Sequence, residues 1–431
     1  MTGHAVPGHA PGTRRGVLIV GTGQAGTQTA ISLRQRGFDG PITMVGEEHG
    51  LPYQRPPLSK AFLTGEHDRA LPLRSERFFS DHQIELVHDT KVTSLDCALR
   101  RVRLASGAWL HFDHLVLAVG ARNRPLPGLG TDLDGVLSLR TVADAEQLRD
   151  RMAAGPRVLV IGAGFIGLEF AAVAVRRGLE VTIVEAAGRP MARAVSPVVS
   201  AHFAREHRRR GVRLLARRTV TRLIGDRGRV VGAQTDDGER HPVDLVLVGI
   251  GVLPNVELAA GAGIAVGAGS AAGPGTARQG IGDGIIVDRY LRTSATAVSA
   301  VGDCARFPFA RDGGAIRLES VQNAVDQARC VAGRLTGQPE PFHAVPWFWS
   351  DQGGTKLQIA GLITGHDETV VRGDPDSGSF SVFCFRPGRL LGVESVNRPA
   401  DHLASRRLLA GNITISQEQA ADPDVNLKAL V

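Results

Sequence analysis

Short apolar runs, each opening into a glycine-rich turn and then a stretch with helical spacing, recur along this chain. Residues 16–20 (GVLIV) form the first, followed by Gly21-Thr-Gly-Gln-Ala-Gly26, a predicted helix over 27–36 and a second strand over 42–45 that closes near Glu47. The same order returns as a strand over 157–161, Gly162-Ala-Gly-Phe-Ile-Gly167, a helix over 168–177 and a strand over 181–184 that ends at Glu185. Runs of four or five aliphatic residues bounded by glycine read as buried parallel strands. One strand, glycine turn, helix, strand unit is a weak signal. Two in one chain, each closed by an acid, are a strong one.

Further strand-to-glycine segments follow the same grammar. Residues 115–121 (LVLAVGA) and 245–251 (LVLVGIG) each fit a strand of one of the two units, and residues 284–287 and 297–303 (AVSAVGD) resemble strands returning to the first. Residues 265–282 are rich in Gly, Ala and Ser and read as a flexible surface insertion. From about residue 335 the texture changes to alternation, as in 380–385 and 390–396, which predicts an antiparallel sheet.

Composition narrows this picture. A chain of 431 residues exceeds one ordinary core and predicts two or three domains. Residues 1–15 are polar and aperiodic and read as a disordered leader. Arg14-Arg15 precede an apolar run far too short for a signal peptide. No run reaches the ~18–20 apolar residues of a membrane span, so a cytoplasmic protein is expected. The four cysteines (97, 304, 330, 384) lie far apart in sequence, form no metal-ligand pattern, and are expected as buried, reduced thiols. The net charge of +7 is carried by arginine, with lysine only at 60, 91, 356 and 428. Such a balance suits an acidic partner or a nucleic acid, and charge alone does not choose between them.

The glycine turns carry specific chemistry. In Gly21-x-Gly23-x-x-Gly26 the first glycine permits a tight turn, the second admits a pyrophosphate to the backbone, and the third lets helix pack on strand. The helix N-terminus then offers free N–H groups and a positive dipole end to phosphates. Gly162, Gly164 and Gly167 repeat the device. Glu47 and Glu185 lie where a carboxylate accepts ribose hydroxyls, and Glu185 should favour NADH by repelling a 2′-phosphate. Arg189 and Arg193 work against that preference if either reaches a phosphate, and otherwise flank the pyrophosphate or lie in solvent.

Together with Arg55-Pro-Pro-Leu-Ser-Lys60, Val301-Gly-Asp-Cys304, Glu319-Ser-Val-Gln-Asn323 and Pro346-Trp-Phe-Trp-Ser-Asp-Gln352, these features resemble the NADH-dependent, FAD-containing ferredoxin reductases of the putidaredoxin reductase type. Those flavoproteins serve bacterial cytochrome P450 and aromatic-ring dioxygenase systems. The resemblance runs from about residue 16 to the C-terminus. It implies an α/β, glutathione-reductase-like pair of Rossmann-like dinucleotide-binding domains plus a C-terminal α/β domain with an antiparallel sheet. The boundaries expected are 16–121 with 250–334 for a split FAD domain, 122–249 for the NAD domain and 335–431 for the C-terminal domain.

The resemblance also implies roles. Ala25 supports the pyrophosphate turn, Glu47 takes the FAD ribose, and Arg55 and Lys60 lie along the path from phosphate to flavin. Val92 meets adenine through its backbone, Arg140 and Gly302 contact the cofactor, Asp303 accepts a ribityl hydroxyl, and Val321 sits at the flavin's polar edge. A helix N-cap is the plainer alternative for Asp303, and core packing for Val92. Ile166, Glu169, Ile250 and Gly251 line the nicotinamide side. Lys60 and Glu169 are expected as an ion pair near flavin N5, and Trp349, with Trp347, as a cover on the acceptor side, with ordinary core packing as the plainer alternative for Trp349. Arg74, Arg329 and Lys356 are implied to dock an acidic two-iron ferredoxin.

Residues 50–60 contain no cysteine, which excludes the thiol relay of the disulfide reductases of this fold. Two alternatives stay open. One is an NADH oxidase, or a quinone or dye reductase, that needs no protein partner. The other is a redox scaffold resembling apoptosis-inducing factor, with basic charge on nucleic acid. The even spread of the arginines argues against the latter.

Overall fold

In the computed structural model, which describes residues 16–126, 128, 130–153, 155–267, 283–309 and 314–431, the first apolar run becomes the strand Val17–Val20, buried at every position. Complete burial follows from parallel pairing on both sides, with Ile42–Val45 and with His114–Leu117. The expected leader (1–15) and most of the expected insertion (268–282) lie outside the described residues.

The chain divides into two units, which are taken one at a time. The first comprises Met1–Tyr53, Pro72–Ala121 and Pro254–His343. Its centre is a five-stranded parallel sheet in the order Val298–Ala300, His114–Leu117, Val17–Val20, Ile42–Val45, Ile84–Val87. The helix Gln24–Gln35 follows the glycine turn and packs against the helix Val321–Leu335. Of the two segments expected to return to this sheet, only the later does. Ile285–Ile286 pairs instead with Ala305–Phe309 in a separate small sheet.

The second unit comprises Gln54–Leu71, Arg122–Leu253 and Ala344–Val431. Its parallel sheet runs Arg213–Ala216, Glu180–Glu185, Arg157–Ile161, Leu245–Val248, Val136–Leu137. The four strands from Arg213–Ala216 to Leu245–Val248 repeat the order and direction of the first unit's. Only the fifth differs in origin, coming from later in the chain in the first unit and from earlier in the second.

Duplication extends further than the sequence pattern suggested. Each unit inserts a three-stranded antiparallel sheet just before its fourth strand: Val92–Asp96, Arg101–Leu104 and Trp109–His111 in the first, and Val220–Asp226, Arg229–Thr235 and Arg240–Pro242 in the second. These strands are half solvated, so they give no continuous apolar run to detect. The glycine-turn helices also begin three residues earlier than their periodicity predicts, at Gln24 and Phe165, because the turn itself supplies the first helical residues.

The second unit also contains the antiparallel sheet expected beyond residue 335. Its order is Trp347–Gln352, Thr355–Gly361, Arg389–Val396, Ser379–Arg386, Glu368–Asp374. The helix Pro399–Ala410 covers it, and Phe383, Val393 and Leu408 are fully buried between them. Alternation along the strands sends one set of side chains, Trp347 and Trp349 among them, to the helix-covered face and the other, with Phe348, Ser350 and Gln352, to the opposite face.

Candidate functional site

The three glycines of each turn are required for different reasons, and the reasons match between copies. Gly21 and Gly162 have φ of 109° and 101°, and a Cβ there would lie 2.2 Å from Ala118 O and 2.5 Å from Gly249 O. Gly26 and Gly167 face the carbonyl oxygens of Gly21 and Gly162, at 1.9 and 2.3 Å from an added Cβ. Fold packing alone therefore demands four of the six.

Gly23 and Gly164 are different. Their backbones (φ −68°, ψ −167° and φ −77°, ψ −178°) are extended conformations open to any residue, and a Cβ on either meets nothing within 4 Å. Both sit at the N-cap of a twelve-residue helix, at the carboxyl ends of parallel strands, where ligands bind in such sheets. The space is a cradle in front of free N–H groups, as a dinucleotide pyrophosphate requires.

In the first unit the helix Val321–Leu335 completes the surroundings of this turn. Gly302, at φ 78°, places its Cα so that an added Cβ would lie 2.9 Å from Ala25 Cβ, and its N–H donates to Gln327 Oε1 at 2.7 Å. Among the described residues Asn323 Oδ1 and Gln327 Nε2 are buried without a partner, as expected of groups that meet water or a bound cofactor. Asp303 is half-buried, and its carbonyl accepts from Arg317 Nη1 at 2.9 Å. Asp303 lies inside the 3-10 segment Gly302–Cys304, whose N-cap is Val301, so it is not an N-cap, and Val321 opens its helix behind the Ser320 N-cap. Val92 begins a half-buried edge strand opposite Leu104. Glu47 is exposed, 3.8 Å from Lys91 Nζ. Arg74 lies 5.6 Å over the Phe78 ring, and Arg329 pairs with Asp326 at 3.3 Å while staying exposed.

In the second unit Glu185 is anchored more firmly than its counterpart. Its Oε2 accepts from Ala163 N at 2.6 Å, inside the glycine turn, and its Oε1 from Ala187 N at 2.7 Å. Arg189 is neither in solvent nor aimed at a phosphate. It turns inward to donate to the carbonyls of Ala192, Val195 and Ser196, and burial lowers its pKa. Arg193 reaches within 3.8 Å of the Cβ position of Gly251, which has φ 100°. Ile166 is 44% exposed on the first turn of the helix Phe165–Arg176, an apolar surface beside the cradle, and Ile250 is half-buried.

Lys60 and Glu169 meet in this unit. Lys60 Nζ donates to Glu169 Oε2 at 2.6 Å, and Ser59 Oγ donates to the same oxygen at 2.5 Å. The second oxygen, Oε1, accepts from Ser350 Oγ at 2.6 Å. Glu169 is 3% exposed, so three donors hold a carboxylate that water barely reaches. Arg55 Nη1 donates to Arg140 O at 2.7 Å, and Arg140 N donates to Asp144 Oδ2 at 2.8 Å.

Sequence reading missed Ser59, Ser350, Gln352 and His207. Gln352 Nε2 donates to Ser350 Oγ at 3.3 Å, and Gln352 Oε1 lies 2.9 Å from His207 Nε2. The signal was the alternation of Trp347–Gln352. Phe348, Ser350 and Gln352 share one face, which meets Phe165 and Glu169 on their helix, and the Phe165 and Phe348 rings lie 4.5 Å apart. Trp347 and Trp349 share the other face with ring centroids 5.4 Å apart. Lys356 is exposed across from Asp351 on the adjoining strand.

One further buried acid belongs to the antiparallel sheet. Glu394 is fully buried, its carboxylate accepts from Ser196 N at 2.9 Å, and burial pushes its pKa up to about 7. Of the four cysteines, which are free, Cys304 and Cys384 are buried but Cys97 and Cys330 only half-buried, since Cys97 lies just past the end of a strand and Cys330 next to the exposed Arg329 on its helix. Burial raises the thiol pKa of Cys304 and Cys330 to about 11. Among the described residues no group of His, Cys, Asp and Glu could hold a metal, and no helix is long and apolar enough to cross a membrane.

Comparison with known proteins agrees with this construction. Residues 15–328 match the family model described as pyridine nucleotide-disulphide oxidoreductase, and residues 347–431 match the one described as reductase C-terminal. Rhodocoxin reductase of Rhodococcus erythropolis is 50% identical over 96% of this chain and 94% of its own. Putidaredoxin reductase of Pseudomonas putida is 38% identical over 96% of each. The crystal structure of the ferredoxin reductase for the CYP199A2 system of Rhodopseudomonas palustris is 49% identical, with a TM-score of 0.90 over 96% of this chain and 98% of that one. The putidaredoxin reductase chain in its covalent complex with putidaredoxin is 37% identical, also with a TM-score of 0.90, over 96% of this chain and 98% of that one. With two matched glycine cradles, no cysteine in residues 50–60, and relatives of this similarity over nearly the whole chain, the protein belongs to the pyridine nucleotide-disulphide oxidoreductase family, among its ferredoxin reductases.

Proposed function

We propose that this chain is an NADH:ferredoxin oxidoreductase that holds FAD in its first unit and receives NADH in its second. The observation that carries the reading is the pair of cradles at Gly23 and Gly164, glycines that the fold's own packing does not require. FAD, when bound, supplies the chemistry of accepting a hydride and releasing single electrons.

The chain's own residues bind, orient and tune. Gly21, Gly23, Ala25 and Gly26 receive the FAD pyrophosphate and Glu47 its ribose, with Arg55, Val92, Arg140, Gly302, Asp303 and Val321 along the cofactor. Gly162, Gly164 and Gly167 receive the NADH pyrophosphate, and Glu185, fixed by two backbone N–H groups, accepts ribose hydroxyls and disfavours a 2′-phosphate. Ile166, Ile250 and Gly251 guide the nicotinamide, with Lys60 and Glu169 as the charge pair at the reacting end. Trp349 covers the flavin on the acceptor side.

The electron acceptor is a two-iron ferredoxin of acidic surface, drawn by exposed cations that include Arg74, Arg329 and Lys356, and it feeds a cytochrome P450 or ring-hydroxylating oxygenase. Free thiols and relatives of this type support a cytoplasmic setting. Purified protein should carry FAD, and NADH should reduce it and, in turn, an added two-iron ferredoxin. A preparation that reduces oxygen or quinone as fast as every ferredoxin offered would refute the reading.

A further inference from the structure

We propose that Ser350 is a positioning residue for Glu169, and that Gln352 and His207 fix the direction in which its hydroxyl donates. This rests on the reading that Glu169 acts at the reacting end of the nicotinamide.

The bonds that link His207 to Glu169 have one consistent set of directions. His207 is fully buried with Nδ1 unpartnered, and burial lowers its pKa, so the neutral ring keeps its single proton on Nε2 and gives it to Gln352 Oε1. That bond orients the Gln352 amide, leaving Nε2 to donate to Ser350 Oγ. A hydroxyl that accepts on that side has its one proton free for Glu169 Oε1, 2.6 Å away. The bonds from His207 through Gln352 and Ser350 therefore run toward the carboxylate, while the second hydrogen of Gln352 Nε2 faces Met191 Sδ at 3.6 Å, and bonds aligned in one sense polarise one another.

The arrangement solves a geometric problem. Lys60 and Ser59 both occupy Oε2, and without a donor on Oε1 the carboxylate would be held at one oxygen and could pivot about it. Ser350 removes that freedom from the antiparallel sheet, a rigid element, whereas Ser59 and Lys60 lie in a short 3-10 segment and at its end. Phe348 against Phe165 holds the strand at the needed height on the helix.

The test uses the FAD-loaded protein mixed anaerobically with NADH, together with crystal structures of the variants. Ser350→Ala should lower the limiting rate of flavin reduction about tenfold, the size expected for a lost bond to a charged group, with half-saturating NADH changed less than about twofold. Ser350→Thr, which keeps the hydroxyl, should recover most of the rate. If Thr does not fit, Ser350→Cys, similar in size but a poor donor, should behave like Ala. In a Glu169→Ala background Ser350→Ala should add nothing, and crystals of Ser350→Ala alone should show the Glu169 carboxylate rotated. If Glu169→Ala slows reduction but Ser350→Ala does not, or slows it equally in both backgrounds, the positioning role is wrong while the reading of Glu169 stands. If Glu169→Ala leaves the rate unchanged, that reading fails and the proposal with it. An unmoved Glu169 in the Ser350→Ala crystal overturns the proposal independently of any rate.

Discussion

Lys60 Nζ and Glu169 Oε2 lie 2.6 Å apart although 109 positions separate them in sequence. The carboxylate is 3% exposed and the ammonium 25%, so water screens the pair only from the lysine side. Removing one partner of such a pair strands the other, at a cost of about 3–5 kcal/mol when fully buried and less here. Lys60→Met should therefore lower the melting temperature and slow reduction of the flavin by NADH by roughly tenfold or more. Thermal melts and stopped-flow traces check the two effects separately, and an unchanged rate in a folded variant would remove Lys60 from the chemistry.

Gly23 and Gly164 allow the two cradles to be closed one at a time. The backbone at either position admits a side chain, and an added Cβ meets nothing within 4 Å, so both variants should fold. Gly23→Val should purify with little FAD. Gly164→Val should keep its FAD yet lose affinity for NADH by well over tenfold. Absorbance of the purified proteins and NADH titrations decide it, and full FAD content in Gly23→Val would contradict the assignment.

Cofactor choice should depend on Glu185. Its carboxylate is fixed by Ala163 N and Ala187 N, so it cannot swing aside for a 2′-phosphate. NADH should outperform NADPH in the natural protein, and Glu185→Gln, which removes the charge but keeps an acceptor, should narrow the gap about tenfold. Paired kcat/KM values for the two cofactors provide the check.

Glu394 gives stability a pH dependence of known sign. Its folded pKa of about 7 exceeds the ordinary 4.5, so the native state binds its proton more tightly than the unfolded chain. Its contribution is fully present below pH 4.5 and is lost as pH rises towards 7, by about 3 kcal/mol for a shift of this size. The Arg189 charge and the Ser196 N–H offset the burial only in part. Glu394→Gln should therefore raise the melting temperature at pH 8 relative to the natural protein and change it little at pH 5. Equal effects at both pH values would show that the carboxyl is not the titrating group.

Electrostatic docking predicts a division between the two half-reactions. Arg329 is exposed and its partner Asp326 is one turn away, so reversing its charge disturbs little inside the fold. Arg329→Glu should slow ferredoxin reduction several-fold at low salt and leave NADH-to-flavin transfer intact, while salt slows the first reaction in the natural protein and spares the second. Unchanged ferredoxin reduction in the variant would place the docking face elsewhere.

The parts legible in the sequence were those with a local cause. Four of the six turn glycines are fixed by contacts within their own unit, and fully buried strands such as Val17–Val20 announce themselves as unbroken apolar runs. The three-stranded insertions were not legible, because their residues alternate weakly and face water. Glu169 could be singled out by its place after a glycine turn, but its clamp could not. Ser350 and Gln352 gain their meaning from which side of a strand they occupy, and His207 from a helix 143 to 145 residues away from them, counted from the three residue numbers. The inward turn of Arg189 was likewise invisible, since the carbonyls it serves are set by the path of the loop.

The two turns share a backbone, but their closing acids are set differently: Glu185 is locked by two amides, whereas Glu47 stands exposed near a lysine. A cofactor that enters and leaves with every catalytic cycle is chosen afresh each time, and an error there recurs at the frequency of turnover. A cofactor retained for the life of the protein is chosen once. On the proposed reading the stiff carboxylate serves the visitor and the loose one the resident, so an ancestral duplication has been divided between fidelity and retention by what holds a single side chain.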